Sequence, residues 1–248
     1  MIFRLIITII ILIGSFEQPK KTIVFKNQKI YSDIFQNIYI QQNAKLYKID
    51  TSGNILCSYS NINLGNINTI DVSNPLQILV YYNLYNSVQL LSNNLTPISQ
   101  PINLDEIGFV NVNAICNSEQ GGFWIYDGIK KQPVLINHKL ETVYFGSQIP
   151  INNIIKMIEF NGKLYIGSYN NGLWILDNKG NFSKFQAVEN FFDFFIHNQQ
   201  IMIVTNEHIK INDNIIFNFD KKPTSIAMLK KCLIISFNDT LYFYKYEL

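Results

Sequence analysis

The chain has 248 residues, with 48% hydrophobic and 14% aromatic residues and a formal net charge of +2. This length suits one large all-β domain or two ordinary domains, and the hydrophobic content is enough for a sizeable core. The lysines occur as scattered pairs, from Lys20-Lys21 to Lys230-Lys231, whereas nucleic-acid-binding proteins usually concentrate basic residues on one face. We therefore predict no nucleic-acid partner.

The first fifteen residues have the pattern of a secretory signal. Arg4 supplies a positive charge, Leu5–Ile13 is apolar, and Gly14 and Ser15 are small. The apolar run is shorter than the roughly 20 residues of a transmembrane helix. We predict a signal peptide over residues 1–15, with a short uncleaved anchor as the alternative, and a single domain over residues 16–248.

No later stretch is long and apolar enough to span a membrane, so we expect no transmembrane domain in the mature chain. An export signal followed by such a chain predicts an exported protein, either periplasmic or outer-membrane-associated, or else secreted.

Short apolar runs then recur in six cycles of about 32 to 45 residues, a period that indicates a repeat architecture. In the first three cycles the runs alternate with polar residues and are separated by turn residues, which predicts four strands in each. The first set is Tyr31–Gln36, Asn37–Gln41, Lys45–Ile49 and Ile55–Tyr59. The second set is Asn68–Val72, Gln77–Tyr82, Val88–Ser92 and Thr96–Ile98. The third set is Asn111–Asn117, Phe123–Asp127, Val134–Asn137 and Thr142–Gly146.

The fourth cycle has the clearest turns, because Asn161-Gly162 lies between two alternating apolar runs, a strong hairpin signal. Its predicted strands are Ile154–Phe160, Lys163–Ser168, Leu173–Asp177 and Phe182–Gln186. The fifth set is Phe191–His197, Ile201–Thr205, His208–Ile211 and Ile215–Phe219. The sixth set has only Thr224–Leu229, Cys232–Phe237 and Thr240–Tyr246.

Repeated four-stranded sheets of this period are typical of the blades of a β-propeller. The sixth cycle lacks an outer strand, which Thr22–Lys26 can supply from the N-terminal side. This pairing would close the ring and remove exposed sheet edges. We predict an all-β, six-bladed β-propeller closed by an N-terminal strand. Five or seven blades would follow if the hairpin at Asn206-Glu207 were misread.

One nine-residue pattern occurs twice, at Leu46–Asn54 and Leu173–Asn181. It reads Leu, aromatic, any residue, aliphatic, Asp, two variable residues, Gly and Asn. The Asp can accept hydrogen bonds from the backbone two residues on, and the Gly can adopt a positive φ. The predicted structural turn residues are Asp50, Gly53, Asp177 and Gly180.

With these turns and the related strand starts Gly162–Ile166 and Gly122–Tyr126, the chain resembles exported β-propellers of the NHL-like and PQQ-like repeat families. The resemblance covers nearly all of the mature chain as architecture. Families with such turns include outer-membrane assembly scaffolds, sensor ectodomains, and lactonase or lyase enzymes. The resemblance implies the fold and leaves these functions open.

The sequence contains no recognisable catalytic motif. None of its three histidines has the spacing of a metal-ligand or nucleophile motif. Cys57, Cys116 and Cys232 are widely spaced, and each lies within or beside an apolar run. We expect them to be buried small hydrophobic residues, with at least one thiol unpaired.

Aligning the predicted inner strands places Asp71, Cys116 and Glu159 at equivalent levels around one channel. Two carboxylates facing one channel could hold a hard cation such as Ca²⁺, which takes several oxygen ligands. Asp71 and Glu159 are therefore candidate metal ligands. The alternative is that these polar residues only face channel water. We predict no other cofactor.

We predict a non-enzymatic, exported propeller that binds a protein partner, as a scaffold module in a cell-envelope assembly. The candidate partner-binding residues are Asp71, Ser73, Asn74, Asn117 and Glu119, in loops between predicted strands. The alternatives are a metal-dependent hydrolase or lyase, and an extracytoplasmic ligand sensor. Polar side chains converging at one mouth of the channel would favour an enzyme, and a contiguous apolar patch on one rim would favour binding.

Overall fold

β-Strands make up almost all of the regular structure in the computed structural model, which describes residues 19–25, 29–186, 191–212 and 214–246. The predicted signal or anchor, residues 1–15, lies outside these residues. Within the described ranges, no helix has the length and apolar character needed to cross a membrane. Their only helical pieces are two short 3-10 turns, Ile62–Leu64 and Asn83–Tyr85.

The strands of the described chain form six antiparallel sheets of four strands each, which confirms the predicted all-β, six-bladed propeller. Blade 1 contains β2 (Lys29–Ser32), β3 (Ile38–Gln42), β4 (Lys45–Ile49) and β5 (Ile55–Ser60). Blade 2 contains β6 (Thr69–Asp71), β7 (Ile78–Tyr82), β8 (Ser87–Leu91) and β9 (Ile102–Asn103). Blade 3 contains β10 (Val112–Asn117), β11 (Phe123–Asp127), β12 (Gln132–Ile136) and β13 (Thr142–Phe145). Blade 4 contains β14 (Ile154–Phe160), β15 (Lys163–Ser168), β16 (Gly172–Leu176) and β17 (Phe182–Gln186). Blade 5 contains β18 (Phe191–His197), β19 (Gln200–Thr205), β20 (His208–Ile211) and β21 (Asn214–Asn218). Blade 6 contains β22 (Ser225–Leu229), β23 (Cys232–Phe237) and β24 (Thr240–Lys245), and its outer strand is β1 (Lys21–Val24).

Hydrophobic packing between neighbouring blades closes the ring. One buried cluster lies at each of the six blade interfaces, including the interface between blade 6 and blade 1. Between blades 4 and 5, for example, Tyr165 and Leu173 pack against Phe191 and Phe194. Alternating apolar residues on each strand thus bury both faces of every blade, because each sheet is sandwiched between two others.

The N-terminal strand completes blade 6 as predicted. β1 pairs antiparallel with β24, from Lys21 opposite Phe243 to Val24 opposite Thr240. Lys21 Nζ also donates a hydrogen bond to the carbonyl of Thr51 in blade 1, at 2.7 Å. The two ends of the described chain therefore share one sheet, and β24 is not left as an exposed edge.

The strand order assigns every turn to one of two faces of the ring. We name the strands of a blade A to D from the channel outward. Because A to D run alternately up and down, the A–B and C–D turns lie on one face, which we call the lower face. The B–C turns and the connections between blades lie on the other, the upper face.

The outer strand of blade 2 differs from the sequence prediction, which placed it at Thr96–Ile98. Pro97 makes only an isolated bridge to Leu91, and residues 99–101 then leave the sheet. The regular strand is β9, Ile102–Asn103, opposite Ser87 and Val88. A proline has no backbone N–H to donate, so the segment around Pro97 cannot continue a regular ladder.

The C–D turns of blades 1 to 4 each have the same pattern of hydrogen bonds, in which the first side chain of the turn accepts two later backbone N–H groups. In blade 1, Asp50 Oδ1 accepts the backbone N–H groups of Ser52 (2.7 Å) and Asn54 (2.9 Å), and Asn54 Nδ2 donates to Asp50 Oδ2 at 2.9 Å. Asp177 makes the same contacts in blade 4. Hydrogen bonds from Asn54, first the side chain and then the backbone, lower the pKa of Asp50, and those from Asn181 lower the pKa of Asp177.

The fourth residue of each of these turns has a positive φ. In blades 1 and 4 it is Gly53 (94°) or Gly180 (85°), which tolerate this conformation without strain. In blades 2 and 3 it is Leu95 (57°) or Leu140 (65°). The turn geometry is thus repeated four times although the predicted Asp and Gly residues occur in only two of the turns.

Candidate functional site

Asp71, predicted as a partner-binding and metal-binding residue, lies at the lower end of the inner strand of blade 2. Its Oδ2 accepts the backbone N–H of Asn117 in blade 3 at 2.8 Å, and Asn117 Nδ2 donates to the carbonyl of Asp71 at 3.2 Å. Its Oδ1 accepts the N–H of Ser73 at 2.7 Å. The carboxylate therefore bridges two blades, and Asn117 is buried against it.

Glu119 and Glu159 make a second bridge, between blades 3 and 4. Glu159, which is buried, accepts the backbone N–H of Glu119 at 2.7 Å. The carboxylate of Glu119 in turn accepts the N–H groups of Asn161 (3.1 Å) and Gly162 (3.0 Å). A buried carboxylate such as that of Glu159 is costly unless it is hydrogen-bonded. Glu119 is exposed, and its two hydrogen bonds to blade 4 add to the same bridge.

The candidate metal ligands Asp71 and Glu159 both interact with the thiol of Cys116, which agrees with their alignment at one level. Burial, followed by the charges of Asp71 and Glu159, raises the pKa of Cys116 well above its ordinary value. Among the residues that the structure describes, no group of three or more His, Cys, Asp and Glu side chains is placed to hold a metal ion. A Ca²⁺ site at Asp71 and Glu159 stays a prediction.

The remaining predicted partner-binding residues face the lower surface near Asp71. Ser73 is exposed, and Asn74 is half-buried with its Oδ1 accepting the N–H of Leu76 at 3.1 Å. These loops are polar and held by local hydrogen bonds. Their binding of a partner also stays a prediction.

The upper face carries a row of exposed hydrophobic side chains that sequence reasoning missed. They extend from the connection after blade 1 to the B–C turn of blade 3, and we call them the apolar arc. Its members are Ile62 (80% exposed), Leu84 (74%), Tyr85 (52%), Val110 (62%) and Ile129 (62%). Turns are usually polar, so the pair Leu84-Tyr85 between Asn83 and Asn86 was the available sequence signal.

Contacts join the blade 1 part of the arc to the blade 2 part. A Cβ added at Gly65, at the end of the turn that holds Ile62, would lie 3.5 Å from Leu84 Cδ2. Beside Ile62 is an open cavity of about 380 Å³, which Lys45 and Tyr47 also line. This part of the upper face is therefore concave and contains both apolar and cationic groups.

Hydrogen bonds continue the arc from blade 2 to blade 3. Asn86, which follows Tyr85, donates through Nδ2 to the carbonyl of Phe109 at 2.6 Å. Gly128, which precedes Ile129, donates its N–H to the carbonyl of Asn111 at 2.8 Å. These hydrogen bonds join the turn of Tyr85, the connection that holds Val110 and the turn of Ile129, so these arc residues are neighbours on the upper face.

Comparison with known proteins supports the fold and no more specific assignment. No family model matches the chain, and no curated protein matches it. Among solved structures, a streptogramin B lyase covers 92% of this chain and 98% of its own at 13% identity, with a TM-score of 0.61. Virginiamycin B lyase from Staphylococcus aureus covers 92% of this chain and 88% of its own at 12% identity, with a TM-score of 0.60.

A chain from a protein complex gives a similar score. A chain of the structure titled Mitotic Checkpoint Complex covers 94% of this chain and 94% of its own at 9% identity, with a TM-score of 0.61. Enzymes and assembly proteins are thus about equally similar to this chain in backbone. The likeness to NHL-like and PQQ-like families holds as a propeller fold, and function has to be argued from surfaces.

Proposed function

We propose that this protein is a non-enzymatic β-propeller that binds another protein through the apolar arc on its upper face. The observation that carries the proposal is the set of five exposed hydrophobic residues on neighbouring turns and connections of blades 1 to 3. Contiguous apolar patches on soluble surfaces mark interaction sites, and aromatic residues such as Tyr85 are enriched among residues that dominate binding energy.

The arc can supply a large part of the energy of a complex. Burying a large aliphatic side chain that was exposed contributes about 1.5–3 kcal/mol. Four aliphatic residues together with Tyr85 would therefore offset much of the roughly 4–15 kcal/mol cost of association. The upper face also has Lys45 beside Ile62 and Lys130 beside Ile129. A partner with aliphatic residues flanked by carboxylates would therefore complement this surface.

The carboxylates on the lower face favour binding over the metal-dependent alternative. Asp71, Glu119 and Glu159 each accept backbone N–H groups across a blade interface. A cation would have to compete for the same oxygens, and Ca²⁺ wants roughly 6–8 of them. We place the protein in a cell-envelope assembly because of the export signal predicted over residues 1–15, and this location is part of the proposal.

Matched serine substitutions on the two faces test the proposal. The tagged protein is captured from envelope extracts and its partner is quantified by mass spectrometry. Leu84→Ser in the arc is compared with Leu76→Ser on the lower face of the same blade, because these leucines are 74% and 70% exposed. Ile129→Ser is compared in the same way with Ile34→Ser, with exposures of 62% and 71%.

We expect Leu84→Ser and Ile129→Ser each to lower partner recovery about tenfold, as loss of more than 1 kcal/mol at a buried contact implies. The lower-face variants should recover the partner as the unmodified protein does. The reverse pattern would move the binding site to the loops of Ser73 and Asn74. Equal recovery by all four variants would remove the arc as the binding surface.

A further inference from the structure

A groove runs between the outer halves of blades 2 and 3 and opens beside the apolar arc. Its volume is about 370 Å³, within the range of ligand sites, although at the small end. The floor is apolar and is formed by Leu90, Ile102, Ile107, Phe123 and Leu140. Such a floor is suited to one aliphatic side chain of a ligand.

The groove exists because the outer strand of blade 2 is interrupted. Between Pro97 and β9 the backbone bulges away from the sheet, and Ser99, Gln100 and Pro101 form a wall of the groove. The buried side chain of Gln89 fixes this bulge by donating from Nε2 to the carbonyl of Ser99 at 2.8 Å. The wall is therefore held in place before any ligand arrives.

The rim of the groove offers neutral hydrogen-bonding groups. Gln77 and Gln100 contribute amides. Asn103 and Asn137 also line the groove with side-chain amides. Amides around an apolar floor match the donors and acceptors of an extended peptide backbone.

Charge is concentrated at one end of the groove. Among its described lining residues Glu106 is the only carboxylate, and no lysine or arginine lines it. The neighbouring Asp105 already accepts Asn86 Nδ2 at 2.5 Å, which connects this end to the turn of Tyr85. The groove thus presents an acidic end to the apolar arc, while His138 lies at the lower end.

We propose that the groove binds an extended segment of the partner protein, with an aliphatic side chain on the apolar floor and a lysine or arginine paired with Glu106. This inference rests on the proposed partner binding and adds the chemistry that the partner must carry. A strand of five residues spans roughly 17 Å at about 3.3 Å per residue, comparable with the length of β8 beside the groove.

Fluorescence anisotropy with short peptides tests the groove independently of any partner. The probe is the fluorescein-labelled pentapeptide Ser-Leu-Ser-Lys-Ser, and the controls replace its lysine by glutamate or its leucine by glycine. The lysine peptide should bind about fivefold more tightly than the glutamate peptide, because only it can pair with Glu106. The glycine peptide should bind more weakly as well, since it leaves the apolar floor empty.

Two variants locate the binding. Glu106→Gln should reduce the preference for lysine over glutamate to less than about twofold, because it removes the charge and keeps the shape. Gln100→Ala should weaken the lysine peptide roughly two- to tenfold while leaving the melting temperature unchanged, since the Gln100 side chain is exposed on the wall of the groove. Equal binding of both charged peptides, or an unchanged preference in Glu106→Gln, would overturn the proposal.

The arc variant Leu84→Ser separates this proposal from the proposed function. It should lose the partner and bind the lysine peptide normally. If the peptide does not bind but partner capture still depends on the arc, the groove proposal is wrong and the proposed function stands. If the peptide binds but partner capture does not depend on the arc, the groove proposal stands and the arc is not the partner's binding site.

Discussion

Replacing Leu95 by glycine separates the strain of a turn from the burial of its side chain. Leu95 has a φ of 57° and is only 3% exposed, in the cluster between blades 1 and 2. Leu140 has the same turn position in blade 3 and a φ of 65°, but it is half-buried. Glycine at either site relieves about 1 kcal/mol of left-handed strain.

The two substitutions differ in the burial that they remove. Truncating a fully buried leucine costs about 2–5 kcal/mol, so after relief of about 1 kcal/mol of strain we expect Leu95→Gly to lower the free energy of unfolding by about 1–4 kcal/mol. Leu140 is only half-buried, so about half of the truncation cost applies, and Leu140→Gly should lower the free energy of unfolding by no more than about 1.5 kcal/mol.

Urea unfolding followed by fluorescence of Trp124 and Trp174 measures both changes. At this chain length each 1 kcal/mol should also move the melting temperature by about 2–4 °C. Gly121→Ala is the control for strain alone, because its φ is 88°, an added Cβ would meet nothing within 4 Å, and the variant should be destabilised by about 1 kcal/mol. If Leu95→Gly and Leu140→Gly were destabilised equally, burial of the leucine side chain would not be what determines the change in the free energy of unfolding at these turns.

Three further predictions concern the lower half of the propeller. The hydrogen bonds of their turns lower the pKa values of Asp50 and Asp177 in the folded protein. The stabilisation that these carboxylates give is therefore present above the unfolded pKa and is lost as pH falls through the folded pKa. Below about pH 4 the urea midpoint should thus fall less in the Asp50→Ala, Asp177→Ala double variant than in the unmodified protein. Glu159→Leu should lower the free energy of unfolding by about 1–3 kcal/mol, measured by urea titration, because the N–H of Glu119 then loses its buried acceptor. Cys116 should be the last cysteine modified by a maleimide in a time course followed by peptide mass spectrometry, because its thiol is fully buried and its pKa is raised; early labelling would contradict its burial.

The repeated turn shows how far sequence patterns reach. Asp50 and Asp177 were recognised because Asp, Gly and Asn each have a familiar turn role. The equivalent turns at Ser92 and Asn137 were not recognised as the same motif, since leucine occupies their positive-φ position. Tertiary packing overrode local preference there, because the burial of Leu95 outweighs the strain of its backbone.

For the candidate site residues too, the sequence predicted one part of the arrangement and missed another. Aligning inner strands brought Asp71, Cys116 and Glu159 to one level, and the structure places both carboxylates near the thiol. The alignment did not reveal that the carboxylates of Asp71 and Glu159 accept backbone N–H groups from a neighbouring blade. Those donors lie forty or more positions away in the chain, so their approach depends on how the blades pack.

The sequence by itself determined the repeated four-stranded units and the N-terminal strand that completes the last of them, because alternation and turn residues are local properties of the chain. It indicated six blades with five or seven as alternatives, and the structure decided for six. Only the tertiary structure decided which turns share a face, and so brought Ile62, Leu84 and Ile129 into one apolar surface. It also opened the groove beside Glu106, where residues 99–101 leave the sheet. Surfaces of this kind depend on how blades lie against one another, and no local pattern encodes that arrangement.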